Sequence, residues 1–156
     1  MMSGHDAVVF CGGPHQTDSE HTTAIDSKGL EKAVQAAIQA GVFRFLLVSS
    51  FPEASRDART AEGFEHSLRV SKASESYLVC SGLDWIIVRP GYLLEGPRGG
   101  RVSADFALPY GSIPEEDVAD FVHLALHEIG LHQRIIELTA GGVPILEAVQ
   151  RLARQF

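Results

Sequence analysis

Long apolar runs are missing from this chain: the best, FRFLLV at residues 43–48, is the length of a strand, far short of the ~20 residues that a membrane-spanning helix needs. No membrane partner is expected. Cysteine is scarce as well, since only Cys11 and Cys80 occur, without C-x-x-C spacing, and the N-terminal residues do not resemble a signal peptide. That usage suits a reducing cytoplasm rather than a disulfide framework. Basic residues are outnumbered, thirteen Lys and Arg against twenty Asp and Glu for a net charge of −7, and nowhere do they form a dense run. A surface that tracks nucleic-acid phosphates is thereby excluded. Two motifs are also absent: no G-x-S-x-G elbow presents a nucleophilic serine, and no G-x-G-x-x-G opens a helix.

What is there is an ordinary globular composition, 45% hydrophobic and 21% charged over 156 residues, enough for a single domain with its own core. The pattern alternates. DAVVFCGG reads as a short strand, Ala7 to Phe10, running into Cys11 and the Gly12-Gly13 pair. The stretch GPHQTDSEHTTAIDSKG reads as polar and irregular, after which Leu30, Ala33, Val34, Ala37 and Ile38 recur at helical spacing until Gly41. RFLLVSS, Arg44 to Ser50, is a strand with the continuous apolar character of a sheet interior. A second amphipathic helix runs from about Glu62 to Ser81, with Phe64, Leu68, Ala73, Tyr77 and Leu78 on its apolar face and Gly82 at its end. LDWIIVRPG forms a third strand, and Tyr92 to Ser112 is too rich in glycine and proline to assign.

Pro114 with Glu115, Glu116 and Asp117 opens a third helix, because proline suits a first turn and carboxylates complement the positive end of the helix dipole. RIIELT gives a fourth strand, and a last helix begins near Pro144. Strands alternating with helices predict an α/β fold, a parallel sheet of about four strands with helices on both faces. Ligands of such sheets sit beyond the carboxyl ends of the strands, which selects Cys11–Pro14, Ser49–Pro52 and Arg89–Tyr92 as one rim.

With these segments in order, the chain resembles the atypical short-chain dehydrogenase/reductase superfamily, the NmrA-like NAD(P)-binding proteins in particular. The similar stretches are DAVVFCGG, GLEKAVQAAIQAGVFRFLLVSS, SKASESYLVCSGLDWIIVRPGYL, GSIPEEDVADFVHLAL and IIELTAG, and they span nearly the whole chain. The resemblance implies a partial Rossmann-like fold, an NAD(P) cofactor and a small-molecule substrate. It implies further that Cys11, Gly12 and Gly13 pass the adenosine half, that Ser49 and Ser50 face nicotinamide and substrate, that Lys72 holds the nicotinamide ribose, and that Pro90, Gly91 and Tyr92 line the nicotinamide pocket. Ser50 and Lys72 are the catalytic candidates on that reading.

Two departures from the family pattern stand out. Where active members carry a tyrosine four residues before the lysine, this chain has Leu68, which can neither donate nor accept a proton; Tyr77, five residues past Lys72, turns away around the helix. The family's opening strand–helix–strand–helix–strand half, with its glycine-rich loop, is also absent. The expectation is a chain impaired as an enzyme, or alternatively a non-catalytic dimeric interaction or redox-sensor module; MMSGHD further suggests a fragment or a mis-assigned start. Without a neighbour, Ala7 to Phe10 becomes an apolar sheet edge, which predicts homodimer formation or aggregation through it.

Other constellations carry less. His123, His127, Glu128 and His132 have spacing that can hold a metal, as does the group His15, Asp18, Glu20 and His21. Both read better as surface residues. Arg89 is expected to pair with an acidic neighbour rather than a ligand phosphate.

Overall fold

The computed structural model describes residues 2–11, 21–51 and 72–155, with only the backbone described at 21–27. β1 (Ala7–Phe10) leads to α1 (His21–Ala40), and β2 (Arg44–Val48) follows. The helical residues 72–79, here α2, precede β3 (Asp84–Pro90). β4 (Tyr92–Leu94), β5 (Arg101–Asp105) and β6 (Ser112–Pro114) come next, then α3 (Glu115–His127), β7 (Arg134–Ala140), β8 (Val143–Pro144) and α4 (Ile145–Ala153).

The sheet order is β1-β2-β3-β7-β5-β8, with β4 and β6 forming a separate parallel pair. β1, β2, β3 and β7 are mutually parallel neighbours, the four strands expected from the apolar runs, and β5 and β8 extend them antiparallel. The sheet is therefore mixed and six-stranded rather than four-stranded. Side chains alternate between its faces. Leu46, Ile86, Val88, Ile136 and Leu138 bury against Val118, Phe121 and Ala125 of α3 and Ile145, Ala148, Val149 and Leu152 of α4. Phe45, Leu47, Trp85 and Ile87 face the other way, onto Leu30, Val34 and Ala37 of α1 and Leu78 of α2.

Three expectations need correction. The polar stretch before Leu30 is not irregular throughout, because α1 already begins at His21; once a buried face fixes the later turns, each added residue gains a hydrogen bond at little further cost. The unassigned stretch from Tyr92 contains β4, β5 and the first residue of β6, strands too short to show periodicity. Ala73, placed on the apolar face of the second helix, is exposed, whereas Ser74 and Glu75 are buried instead. Phe64 and Leu68 lie outside the described residues.

Opposite the ligand rim, Arg44 at the start of β2 clamps the far end of α3. Its guanidinium donates to the carbonyls of Ala125 (2.8 Å), Leu126 (3.2 Å), Glu128 (2.9 Å) and Leu131 (2.9 Å), and to Asp84 at 2.9 Å. Ala125 and Leu126 lie in the last turn of α3 and Glu128 caps it, a helix end where positive charge is favoured. Arg44→Ala is expected to lower stability by about 2–3 kcal/mol, since five charge-assisted bonds are lost, one of them to Asp84. A urea midpoint measures it. Arg44→Lys should recover little, because an ammonium cannot reach the same fan of acceptors.

Candidate functional site

β2 and β3 run parallel and in register from Arg44↔Asp84 to Val48↔Val88, so the residues just past their paired ends, Ser49 and Arg89, emerge side by side on the α2 face. The backbone continues the ladder one step, with the Ser49 N–H donating to Val88 O at 2.8 Å. From above, α2 lowers Glu75 between them. Ser49 Oγ donates to Glu75 Oε1 at 2.6 Å, and Arg89 grips both carboxylate oxygens, Nε to Oε1 at 3.1 Å and Nη2 to Oε2 at 2.5 Å. The carboxylate side chain is 7% exposed and the guanidinium 17%. The expected acidic partner of Arg89 is thus Glu75, one turn past Lys72.

The row continues across the sheet, since Arg89 is in register with Glu137 of β7, and Glu137 with Asp105 of β5. Glu137 Oε2 accepts the backbone N–H of Leu108 at 2.6 Å, which pins residues 106–111 over the strands. A polar row in the middle of an apolar sheet opposes burial unless each member is bonded. Here its position matches the rim where open α/β sheets hold ligands.

At the end of β3 the chain becomes thin. Gly91 donates its N–H to Leu138 O at 2.9 Å, and Tyr92 donates to Gly111 O at 2.9 Å; a Cβ on Gly91 would collide with the Gly111 carbonyl. Pro90 and Gly91 are buried, and Tyr92 is exposed. Tyr110, on the pinned loop, meets the buried Phe51 ring edge to face, centroids 5.4 Å apart.

The other candidates distribute as follows. Ser50 and Lys72 are exposed, and Cys11 is exposed at the end of β1. Partial desolvation pushes the Cys11 thiol above its ordinary range, the direction opposite to that of an activated thiolate. Gly12 and Gly13 lie outside the described residues, as do His15, Asp18 and Glu20 and the side chain of His21. Tyr77 faces α1, its hydroxyl accepting from Gln35 Nε2 at 3.1 Å. His123 and His127 lie ring against ring, centroids 4.8 Å apart, and among the described residues no group of three or more His, Cys, Asp or Glu is arranged to hold a metal.

Reasoning from sequence missed Glu75, Glu137 and Asp117. Glu75 carried a signal that could have found it: an acidic residue on the buried side of an amphipathic helix, ahead of a strand that ends in Arg89. Asp117, expected in the first turn as a complement to the helix dipole, is 1% exposed and accepts from the N–H groups of Gly99 (2.9 Å) and Gly100 (2.8 Å). It ties the segment before β5 to α3.

Comparison with known proteins gives a consistent result. A family model described as NAD(P)H-binding matches residues 1–128. A Bacillus subtilis (strain 168) relative, named the uncharacterized sugar epimerase YhfK, is 36% identical over 154 residues, which is 96% of this chain and 70% of the relative. The UPF0659 protein YMR090W of Saccharomyces cerevisiae is 29% identical over 159 residues, covering 97% of this chain and 70% of its own length. Among solved structures, one described as an NAD-dependent epimerase/dehydratase from Bacillus halodurans superposes with a TM-score of 0.84 at 29% identity, over 94% of this chain and 70% of that one.

Proposed function

Because this chain belongs to the NAD(P)H-binding family, within its oxidoreductase- and epimerase-like branch, we propose that it binds a nicotinamide dinucleotide with the reactive ring at the ends of β2 and β3. The observation that supports this is the Ser49–Glu75–Arg89 cluster, polar, interlocked and half-buried where a parallel sheet receives ligands. The residues described there suit that end of the cofactor. Gly91, whose missing Cβ lets the Gly111 carbonyl pack against the end of β3, closes that end without a side chain, and Ser49 offers a hydroxyl at the end of β2. The bound cofactor would supply a hydride donor or acceptor to a small-molecule substrate.

In this reading Ser50 and Lys72 face the nicotinamide, ribose and substrate, and Cys11, Gly12, Gly13, Pro90 and Tyr92 complete the lining. Leu68 leaves the usual proton-transfer position without a phenol, so the chain's own part is to bind and orient. Titration with NADH and NADPH, followed by nicotinamide fluorescence, tests it. Micromolar binding, weakened by Ser49→Ala, is the expected result. No binding at millimolar dinucleotide would overturn the proposal.

A second reading rests on β1, which ends the strand order with Val9 exposed. An apolar edge of this kind pairs with another strand, and the proposed partner is a second copy of this chain, forming a homodimer. Light scattering checks it, and a monodisperse monomer at high concentration counts against it. No described helix is long and apolar enough to cross a membrane; with two free cysteines, the cytoplasm is the proposed compartment.

A further inference from the structure

The Ser49 hydroxyl has one proton, and the structure fixes where it goes. Glu75 Oε1 lies 2.6 Å from Ser49 Oγ, a distance typical of a hydroxyl donating to a carboxylate. Both Glu75 oxygens are also held by Arg89, and a carboxylate paired through both oxygens with a guanidinium acts only as an acceptor. Arg89 has no acceptor atoms, so it cannot take the proton from Ser49 either. The hydroxyl therefore donates inward, and only its lone pairs are left for the crevice.

We propose that Ser49 is a specificity-determining hydrogen-bond acceptor, with Glu75 and Arg89 as positioning residues, and that it selects the amino group of the nicotinamide carboxamide. The choice of group follows from its chemistry: on the nicotinamide ring that amino group is the one substituent that can donate. A carbonyl placed against Ser49 would meet lone pairs and be rejected, the asymmetry that leaves a buried polar group unpaired. The ligand half of this inference rests on the dinucleotide reading above, whereas the direction of the hydroxyl does not.

Two measurements on the full chain separate these parts. In an equal mixture of H2O and D2O, the 13Cβ signal of a serine whose hydroxyl exchanges slowly splits in two, and Ser49→Ala identifies the resonance. Splitting is expected in the wild type. It should collapse in Glu75→Leu/Arg89→Met, a double variant that removes the acceptor without leaving a buried charge behind. The second measurement compares binding of NADH with binding of reduced 3-acetylpyridine adenine dinucleotide, in which a methyl ketone replaces the carboxamide.

The wild type should favour NADH by about tenfold, the scale of one hydrogen bond with an unpaired alternative. Ser49→Ala should bring the ratio near one, and so should the double variant, whose freed hydroxyl can turn and donate to the ketone. Equal affinity for the two dinucleotides in the wild type, or an unsplit Ser49 signal in folded protein, overturns the inference while leaving dinucleotide binding intact. A split signal with no binding of either dinucleotide overturns the functional proposal, and with it the carboxamide assignment.

Discussion

Arg89→Met is expected to cost about 3–5 kcal/mol of stability, because it strands Glu75, a carboxylate with a 7% exposed side chain, inside the protein. The size comes from the uncompensated charge rather than from the worth of the pair. Two ions taken out of water lose solvation that their mutual attraction roughly repays, so deleting both is far milder than deleting one. Glu75→Leu/Arg89→Met should therefore be more stable than either single variant, and close to the wild type. Urea denaturation of the four proteins of this double-mutant cycle measures the coupling. If Arg89→Met alone matched the double variant in stability, the cluster would be a surface pair of little consequence. The same cycle read through dinucleotide affinity separates fold from site, since the double variant keeps the fold and loses the inward acceptor for Ser49.

The sequence made the skeleton around this cluster legible, and for identifiable reasons. β2 and β3 are runs of Phe, Leu, Ile, Trp and Val buried on both faces, and Gly41 and Gly82, which end the preceding helices, adopt φ of +71° and +76°, where glycine carries no steric penalty. Such signals are local. Pairing of β5 with β7 is not local: Val102 meets Ala140 and Asp105 meets Glu137 across a sequence separation that no short-range period encodes. For the site, rim positions such as Ser49 and Arg89 followed from the rule about strand ends. Glu75 was the harder case: its spacing from Leu78 puts it on the buried side of α2, but the apolar residues drew Ala73 into that face, and the sequence does not show that Arg89 waits opposite. A buried carboxylate looks like a solvated one until its guanidinium partner is in place.

Gly91→Ala is expected to disrupt the crevice more than its single methyl suggests. The position needs no unusual φ; its constraint is space. An added Cβ would run into the Gly111 carbonyl and press on Thr139 Cγ2, and that carbonyl cannot simply swing aside, since it accepts the Tyr92 N–H at 2.9 Å. Gly91 is itself anchored to Leu138 O at 2.9 Å, so the strain falls on the loop that carries Tyr110 and on the β4–β6 pair. Overpacking of this kind costs roughly 1–3 kcal/mol where side chains can yield. A backbone that must move instead takes it to the upper end of that range or beyond. The measurable outcome has two parts: a lowered urea midpoint, and dinucleotide affinity reduced by more than the loss of folded protein accounts for. Ala substituted at Gly142, whose added Cβ meets nothing within 4 Å, is the matched control and should leave both unchanged. Equal behaviour of the two variants would mean that the close approach at the end of β3 has no bearing on the site.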